Sequence, residues 1–309
     1  MLINVIVLSM QKDLNDQLHF TPYRVSTITC NADIGENINI DLRILFKNIE
    51  IGDKDMSFIW IQYLKEDDDN SRGMYPKKKR KTKVDSTKKN RFDNQITVIY
   101  KFSNEYMPNI KIFKNGNIQL TGIKDFEHPR IIIDNIIKNI TNIYTNIDKR
   151  VIAVGPEETN PINRIRFGNF KVRMINTDFK IYTDKDLVDR FSIRRKELHN
   201  LLISDKYNNK SSFQPGVYQG VKLEYFWNKQ NKNKNGICQC SCNCFGKSNG
   251  DGDGNCKKVT IAIFESGSIL ITGGITFEQV TDAYNYICNM IQQNQKSVKK
   301  QVIPEMLLV

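Results

Sequence analysis

A duplicated hairpin sequence constrains the fold of this chain more than any other feature. Residues 109–122, NIKIFKNGNIQLTG, recur as 260–273, TIAIFESGSILITG, at an offset of 151 with seven identities in fourteen positions. Each copy alternates apolar and other residues around a central Asn-Gly or Ser-Gly, which is typical of two strands joined by a tight turn. The repeat indicates a chain built from two copies of one unit.

The register of the repeat continues into a helix after each hairpin. Phe126 and Ile136 recur as Phe277 and Ile287, and the apolar spacing predicts helices at 126–144 and 276–293. Weaker upstream matches pair Val25, Ile28, Asp41, Leu42 and Phe46 with Val172, Ile175, Asp186, Leu187 and Phe191. Each half therefore predicts a strand, a helix, three strands and a long helix.

The predicted strands leave one sheet face uncovered. They lie at 24–30, 95–102, 110–113 and 118–121, and at 171–176, 220–227, 259–264 and 269–272; a further strand at 58–64 has no clear counterpart in the second half. An antiparallel sheet with helices on one face leaves its other face free, either to dock on a partner or to bind a ligand. The expected open-face residues of the hairpins are Lys111, Phe113, Gln119, Thr121, Ala262, Phe264, Leu270 and Thr272.

The two hairpins resemble the paired I-F-x-S-G-x-hydrophobic-x-x-T-G segments of TATA-box-binding proteins. Residues 25–28, VSTI, are similar to the family's first strand, and residues 215–218, PGVY, to its F-P-G-hydrophobic segment. The resemblance covers about residues 22–145 and 168–293, and the insertions resemble the TATA-box-binding-protein-like factors of large DNA viruses. It implies an α+β fold in which two pseudo-symmetric repeats form one curved antiparallel saddle sheet with helices on the convex face.

The resemblance also implies an organisation and a function. The expected parts are an N-terminal arm at 1–21, a first saddle repeat at 22–145 with a basic insertion at about 66–91, a linker at 146–167, a second repeat at 168–293 with a Cys/Gly-rich insertion at about 228–258, and a C-terminal tail at 294–309. The implied function is a transcription initiation factor that binds the DNA minor groove and bends promoter DNA by inserting phenylalanines, a mechanism best known from this family.

The family's DNA-contacting positions map onto residues of this chain. The implied intercalating side chains are Phe92, Phe113, Phe213 and Phe264, although Gln214 separates Phe213 from the Pro-Gly pair; a core position is the alternative for each. The implied groove contacts are Val25, Thr121, Val172, Leu270 and Thr272. Tyr23 and Phe170 stand where the family has asparagines, and Lys111 and Gln119 where it has apolar residues, which puts TATA specificity in doubt.

The positive charge is concentrated in one insertion. Residues 77–91 hold nine Lys or Arg and one acid, and contribute +8 of the formal +12. Such a run suits phosphate contacts, a nuclear localisation signal or a solvated loop. The candidate phosphate-contacting residues of this basic loop are Lys77, Lys78, Lys79, Arg80, Lys81 and Arg91.

Five cysteines are clustered in the glycine-rich insertion of the second half. They are Cys238, Cys240, Cys242, Cys244 and Cys256. Zinc takes four thiolates tetrahedrally, but its usual spacing is C-x-x-C, and this run is C-x-C-x-C-x-C. Bound zinc and reactive or loosely paired cysteines both remain open, and no other cofactor is expected.

The rest of the sequence excludes several function classes. No catalytic motif occurs, so an enzyme is not expected, and no run of about 18 apolar residues predicts a membrane span. The expected partners are A·T-rich promoter DNA, RNA polymerase and general initiation factors, with no small-molecule substrate. The expected location is intracellular, in a nucleus or a cytoplasmic viral factory, with packaging in a virion as a further alternative. The competing interpretation is a saddle-shaped interaction scaffold whose sequence-specific DNA binding is weak or lost.

Overall fold

The computed structural model describes residues 17–63, 70–76, 94–153 and 161–300. The helices in these residues are α1 Leu42–Asn48, α2 His128–Asn146, α3 Arg195–Ile203, α4 Phe277–Gln293 and α5 Gln295–Val298. The strands are β1 His19–Phe20, β2 Arg24–Asp33, β3 Asn39–Ile40, β4 Ser57–Gln62, β5 Ser71–Gly73, β6 Gln95–Lys101, β7 Asn109–Phe113, β8 Asn117–Ile123, β9 Ile152–Ala153, β10 Gly168–Tyr182, β11 Lys210–Gln214, β12 Tyr218–Trp227, β13 Lys257–Ile263 and β14 Ser268–Gly274. No helix in this part of the chain combines the length and the apolar character that a membrane span requires.

The chain divides into two units with the same order of elements. We call Thr27–Arg173 the first unit, and Met1–Ser26 with Met174–Val309 the second unit. In each unit a long strand comes first, and a short helix, four strands of one antiparallel sheet and a long helix follow it. This order leaves out the shorter strands. The predicted α+β class, with antiparallel strands in two repeats, is confirmed.

In the first unit the strand order is β2-β8-β7-β6-β4-β5, and β3 pairs separately with β9. One face of the sheet is a core of isoleucines and leucines, with Ile110, Ile112 and Leu120 fully buried. Helix α2 contributes to this core along an apolar stripe at the helical period. Helix α1 begins where the carboxylate of Asp41 accepts hydrogen bonds from the backbone N–H groups of Arg43 and Ile44.

In the second unit the strand order is β11-β12-β13-β14-β10, with β1 beside β10. Its core repeats that of the first unit, since Ile261, Ile263 and Ile271 are fully buried under helix α4. The predicted helix at 276–293 begins at Phe277, and Thr276 caps it by accepting a hydrogen bond from the Gln279 N–H.

Two upstream predictions for the second unit are wrong. The predicted strand at 58–64 is β4, and it does have a counterpart, because β11 pairs with β12 as β4 pairs with β6. Strand β11 reads KSSFQ and lacks the apolar alternation that reveals β4. Asp186 and Leu187 do not begin a helix as Asp41 and Leu42 do, since α3 starts only at Arg195.

Candidate nucleic-acid interface and cysteine cluster

The face of the first unit's sheet opposite its isoleucine core carries polar side chains. Gln119 lies directly across from Asn31 on β2 and from Lys111 on β7, and Lys111 lies across from Thr97 on β6. These four side chains form a row over four strands, all half-buried between neighbours whose side chains point into the core. We call this row the polar row.

One end of this face is a hollow beside an aromatic ring. A cavity of about 290 Å³ is lined by Asn31, Phe113, the turn residue Asn115 and the first three residues of β8, Asn117, Ile118 and Gln119. The Asn31 side-chain oxygen is buried there and has no hydrogen-bond partner within the described residues, and Thr27 Oγ1 shares this condition. Because buried polar atoms are nearly always paired, these two oxygens are exceptions among the described residues.

The corresponding face of the second unit is more apolar. Leu270 lies across from Asp178 on β10 and from Ala262 on β13, and Ala262 lies across from Lys222 on β12. The two central residues of this row, Leu270 and Ala262, are apolar, and the two at its ends, Asp178 and Lys222, are charged. Leu270 and Thr272 are half-buried as expected for an open face, but Ala262 is only 6% exposed. Its methyl group is too short to rise above its neighbours.

Phe264 stands at the end of this second face beside a ring that the sequence did not suggest. The centroids of Phe264 and Tyr218 are 5.8 Å apart, and the ammonium of Lys222 lies 4.1 Å from the Tyr218 ring centroid. Both rings stand over Gly220, where a Cβ would be 2.9 Å from Tyr218 Cε1 and 3.2 Å from Phe264 Cε1. The missing side chain of Gly220 therefore makes room for the pair. The turn at 215–217 directly before Tyr218 was the available signal.

Phe213 has different surroundings from Phe264. Its ring lies 6.4 Å from the ring of His199 and 5.4 Å from the guanidinium of Arg195, both on helix α3. These contacts hold Phe213 against a helix, whereas Phe264 is paired with Tyr218 across neighbouring strands. The role of Phe213 as an intercalating side chain stays a prediction.

The remaining predicted contact residues fall into three groups. Val25 on β2 and Val172 on β10 are half-buried, and Thr121 on β8 is exposed. Phe92 lies outside the described residues. The basic residues Lys77, Lys78, Lys79, Arg80, Lys81 and Arg91 lie outside them as well.

The two positions that depart from the family's asparagines hold aromatic side chains with contacts of their own. Tyr23 Oη is 2.9 Å from Thr281 Oγ1 on α4, and its ring packs edge-on against Tyr284. Phe170 lies 6.1 Å from Phe167 between ring centroids. Tyr23 is thus engaged with a helix and supplies no amide to a sheet face.

Four of the five loop cysteines converge in the connection between β12 and β13. The sulfur atoms of Cys238, Cys240, Cys244 and Cys256 all lie within 4.8 Å of one another, and we call them the cysteine cluster. Cys242 is exposed and does not join them. Burial raises the pKa of the Cys256 thiol far above its ordinary value. Four thiols at this spacing can hold a metal ion.

Close glycine contacts position this loop against the hairpin. Gly250 has φ +99, and a Cβ there would be 2.2 Å from Trp227 Cε3. At Gly246, with φ +67, a Cβ would be 2.6 Å from the Lys258 Cβ. Neither position tolerates a side chain, so the loop lies directly on the last residues of β12 and the first of β13.

No protein-family model matches the chain. The chain is 29% identical over 306 residues to a protein of Acanthamoeba polyphaga mimivirus named "TATA-box-binding protein-like", and the match covers 94% of this chain and 69% of that protein. Among solved structures, Methanococcus jannaschii TBP shares 15% identity and a TM-score of 0.46, covering 88% of this chain and 99% of that one. The resemblance inferred from the duplicated hairpins is confirmed by the viral relative.

Proposed function

We propose that this protein is a transcription initiation factor that binds the DNA minor groove and bends the duplex by inserting aromatic side chains. The observation that carries the proposal is the duplicated aromatic position. Phe113 and Phe264 follow the same ladder of buried isoleucines in the two hairpins, and both remain half-buried at the uncovered face. The name of the mimivirus relative, which refers to the TATA box, supports the same function.

The chemistry of the two faces suits this function. Phenylalanine offers a flat apolar wedge with no polar group to desolvate, and unstacking a base step costs a few kcal/mol, which added contacts with the bent duplex offset. The minor groove at A·T pairs presents mainly acceptors, which the donors of Lys111 and Gln119 complement.

Individual roles follow from these positions. Phe113 and Phe264 act as wedges, and Tyr218 supports the Phe264 ring. Thr121 and Thr272 meet base edges, while Val25, Val172 and Leu270 provide apolar contacts to sugars and bases. Phe92 and Phe213 complete the set by the resemblance alone. No residue is assigned a catalytic role.

The proposed partners and location follow from the same function. A factor that bends promoter DNA works with RNA polymerase and other initiation factors, at the site of transcription in a nucleus or a viral factory. The basic residues 77–91 would contact phosphates beyond the groove and make binding depend steeply on salt.

The test is a bending assay by fluorescence transfer between the two ends of a short A·T-rich duplex. The wild-type protein should raise the transfer because a bend brings the ends together. The double variant Phe113→Ala/Phe264→Ala should lose most of this rise while melting near the wild-type temperature. Phe245→Ala is the matched control, since Phe245 is 74% exposed and lies on the cysteine loop rather than on either sheet face.

A second candidate function is an interaction scaffold. The engagement of Tyr23 with α4 favours it, because the first repeat, at 22–145, then lacks the amide that the family directs at the centre of its site. Salt-sensitive binding without a bend, the same for all sequences and for the double variant, would support the scaffold. A large drop in the melting temperature of the double variant would place the two phenylalanines in the core and contradict the assigned wedges.

A further inference from the structure

The loop between β12 and β13 contains a cluster of sulfur atoms that the DNA-binding function does not use. Residues 228–256 connect the two strands, and the cysteine cluster gathers three thiols from the middle of this loop and one, Cys256, from its end. We propose that Cys238, Cys240, Cys244 and Cys256 bind one zinc ion as a tetrathiolate, and that Cys242 takes no part.

The distances between sulfur atoms agree with a tetrahedral metal site. Zinc–thiolate bonds of about 2.3 Å place the four sulfur atoms of a tetrahedron about 3.8 Å apart. The sulfur of Cys256 lies 3.4 Å from that of Cys240 and 3.8 Å from that of Cys238. No pair in the cluster exceeds 4.8 Å, so small shifts are enough to complete the tetrahedron.

A disulfide does not account for this arrangement. A disulfide bond joins two sulfur atoms at about 2.05 Å and leaves other cysteines without a reason to approach. Here Cys256 approaches two other thiols at once, from a distant part of the loop. Four sulfur atoms around one point are the ligand set of structural zinc, and a closed set of four protein ligands indicates a structural role.

Hydrogen-bond donors around the sulfur atoms supply the outer shell that thiolates require. The amide nitrogen of Asn228 lies 3.5 Å from Cys256 Sγ and 2.6 Å from the Gly252 carbonyl oxygen. Asn228 is 8% exposed, so its amide is fixed. Backbone hydrogen bonds also join Gly254 to Cys240 and Gly246 to Cys244. Such N–H···S contacts orient metal ligands and partly neutralise their charge.

The exposed Cys242 explains why the irregular spacing still permits a metal site. In the run from Cys238 to Cys244, three cysteines turn inward and the third in sequence turns out to solvent. Glycines with positive φ at 246, 250, 252 and 254 allow the chain to return and bring Cys256 to the cluster. The metal therefore holds the middle of the loop against its end, next to the first residue of β13.

The experiment is a metal analysis of the full-length protein purified with a reducing agent and without added chelator. Elemental analysis should give about one zinc per chain, and X-ray absorption should show a shell of sulfur only, at about 2.3 Å. Cys242→Ser should keep the metal. Cys244→Ser and Cys256→Ser should each lose most of it, because each removes one of the four ligands.

Several outcomes would overturn the proposal. They are wild-type protein that stays free of zinc after refolding with the metal, iron at the site, loss of zinc from Cys242→Ser, or a Cys240–Cys256 disulfide found by mass spectrometry in protein alkylated at lysis. If Cys256→Ser fails to fold, the stoichiometry, the sulfur shell and the Cys242→Ser control still decide. None of these readouts involves DNA, so the outcome is independent of the proposed function.

Discussion

The two copies of the duplicated hairpin share their buried side and differ on their open side. Ile110, Ile112 and Ile118 recur as Ile261, Ile263 and Ile269, and all six are buried. The cross-strand pair on the open face is Lys111 with Gln119 in the first hairpin and Ala262 with Leu270 in the second. The inward residues specify the hairpin, while the outward ones can diverge without cost to the fold.

The hairpin turns differ in charge as well. Lys114 follows Phe113, whereas the matching residue after Phe264 is Glu265. The Glu265 carboxylate accepts hydrogen bonds from Lys300 at 2.5 Å and from Arg195 at 2.8 Å. Hydrogen bonding from Lys300, with Arg195 nearby, holds the pKa of Glu265 below its ordinary value. The two hairpin turns therefore differ both in the sign of this residue's charge and in its ion pairs.

The largest expected effect concerns the buried isoleucines that the two hairpins share. Ile112→Ala and Ile263→Ala should each lower the free energy of unfolding by about 2–5 kcal/mol, because both side chains are fully buried and truncation leaves a cavity. Chemical denaturation of the two variants measures this. A loss below about 1 kcal/mol at either position would show that the two cores are not equivalent.

The next largest effect is a difference in stability loss between the turns of the first and the second hairpin. Gly116 and Gly267 both have positive φ, at +78 and +73. A Cβ at Gly267 would be 2.4 Å from the Phe191 carbonyl oxygen, but one at Gly116 would be 3.3 Å from that of Ile38. Gly116→Ala should cost about 1–2 kcal/mol for the left-handed conformation alone, and Gly267→Ala should cost more. Thermal unfolding measures both, and equal losses would contradict the difference in packing.

A smaller effect tests the open side and rests on the proposed function. Lys111→Ala with Gln119→Leu makes the first face resemble the second, and stability should change by no more than about 0.5 kcal/mol, because both side chains lie at the surface. The slope of log affinity for DNA against log salt should decrease by about one for the removed cation. Binding titrations at several salt concentrations measure the slope, and an unchanged slope would place Lys111 away from the bound DNA.

The smallest effect concerns the charge at the second turn. Because the folded-state pKa of Glu265 is lowered, its carboxylate stabilises the fold above the ordinary carboxyl pKa, and this contribution is lost as the pH falls through the lowered one. Glu265→Gln should therefore reduce stability at neutral pH by at most about 0.5 kcal/mol, since the group is partly exposed and screened. The variant and wild-type melting temperatures should converge in acid. A gap that persists at low pH would assign the effect to packing.

Much of the fold could be predicted because the repeat shows the sequence pattern of most elements twice. The hairpins and both long helices show clear periods in the sequence, and the strand bounds in the structure differ from the predicted ones by up to six residues, some strands being longer and some shorter. Strand β11 could not be found, because an edge strand whose single apolar residue is Phe213 shows no apolar alternation. The start of α3 was also missed, because Asp186 and Leu187 imitate the capped start of α1.

The candidate sites were predictable in composition but not in arrangement. The sequence identified Phe113 and Phe264, yet Tyr218 became visible only through the cross-strand contact above Gly220. Five cysteines were evident, but the choice of four depends on which way Cys242 points, and a spacing rule does not contain that information. Both gaps arise from contacts between residues that are not neighbours in sequence.

The most direct test of minor-groove binding compares three duplexes that differ only in base pairs. An inosine·cytosine pair presents the acceptors of A·T in its minor groove and the pattern of G·C in its major groove. We expect the protein to bind and bend an A·T-rich duplex and its inosine·cytosine replacement alike, and a G·C duplex much less. If the inosine·cytosine duplex instead behaves like G·C, or if all three bind equally without a bend, the protein does not read the minor groove and the proposed function is wrong.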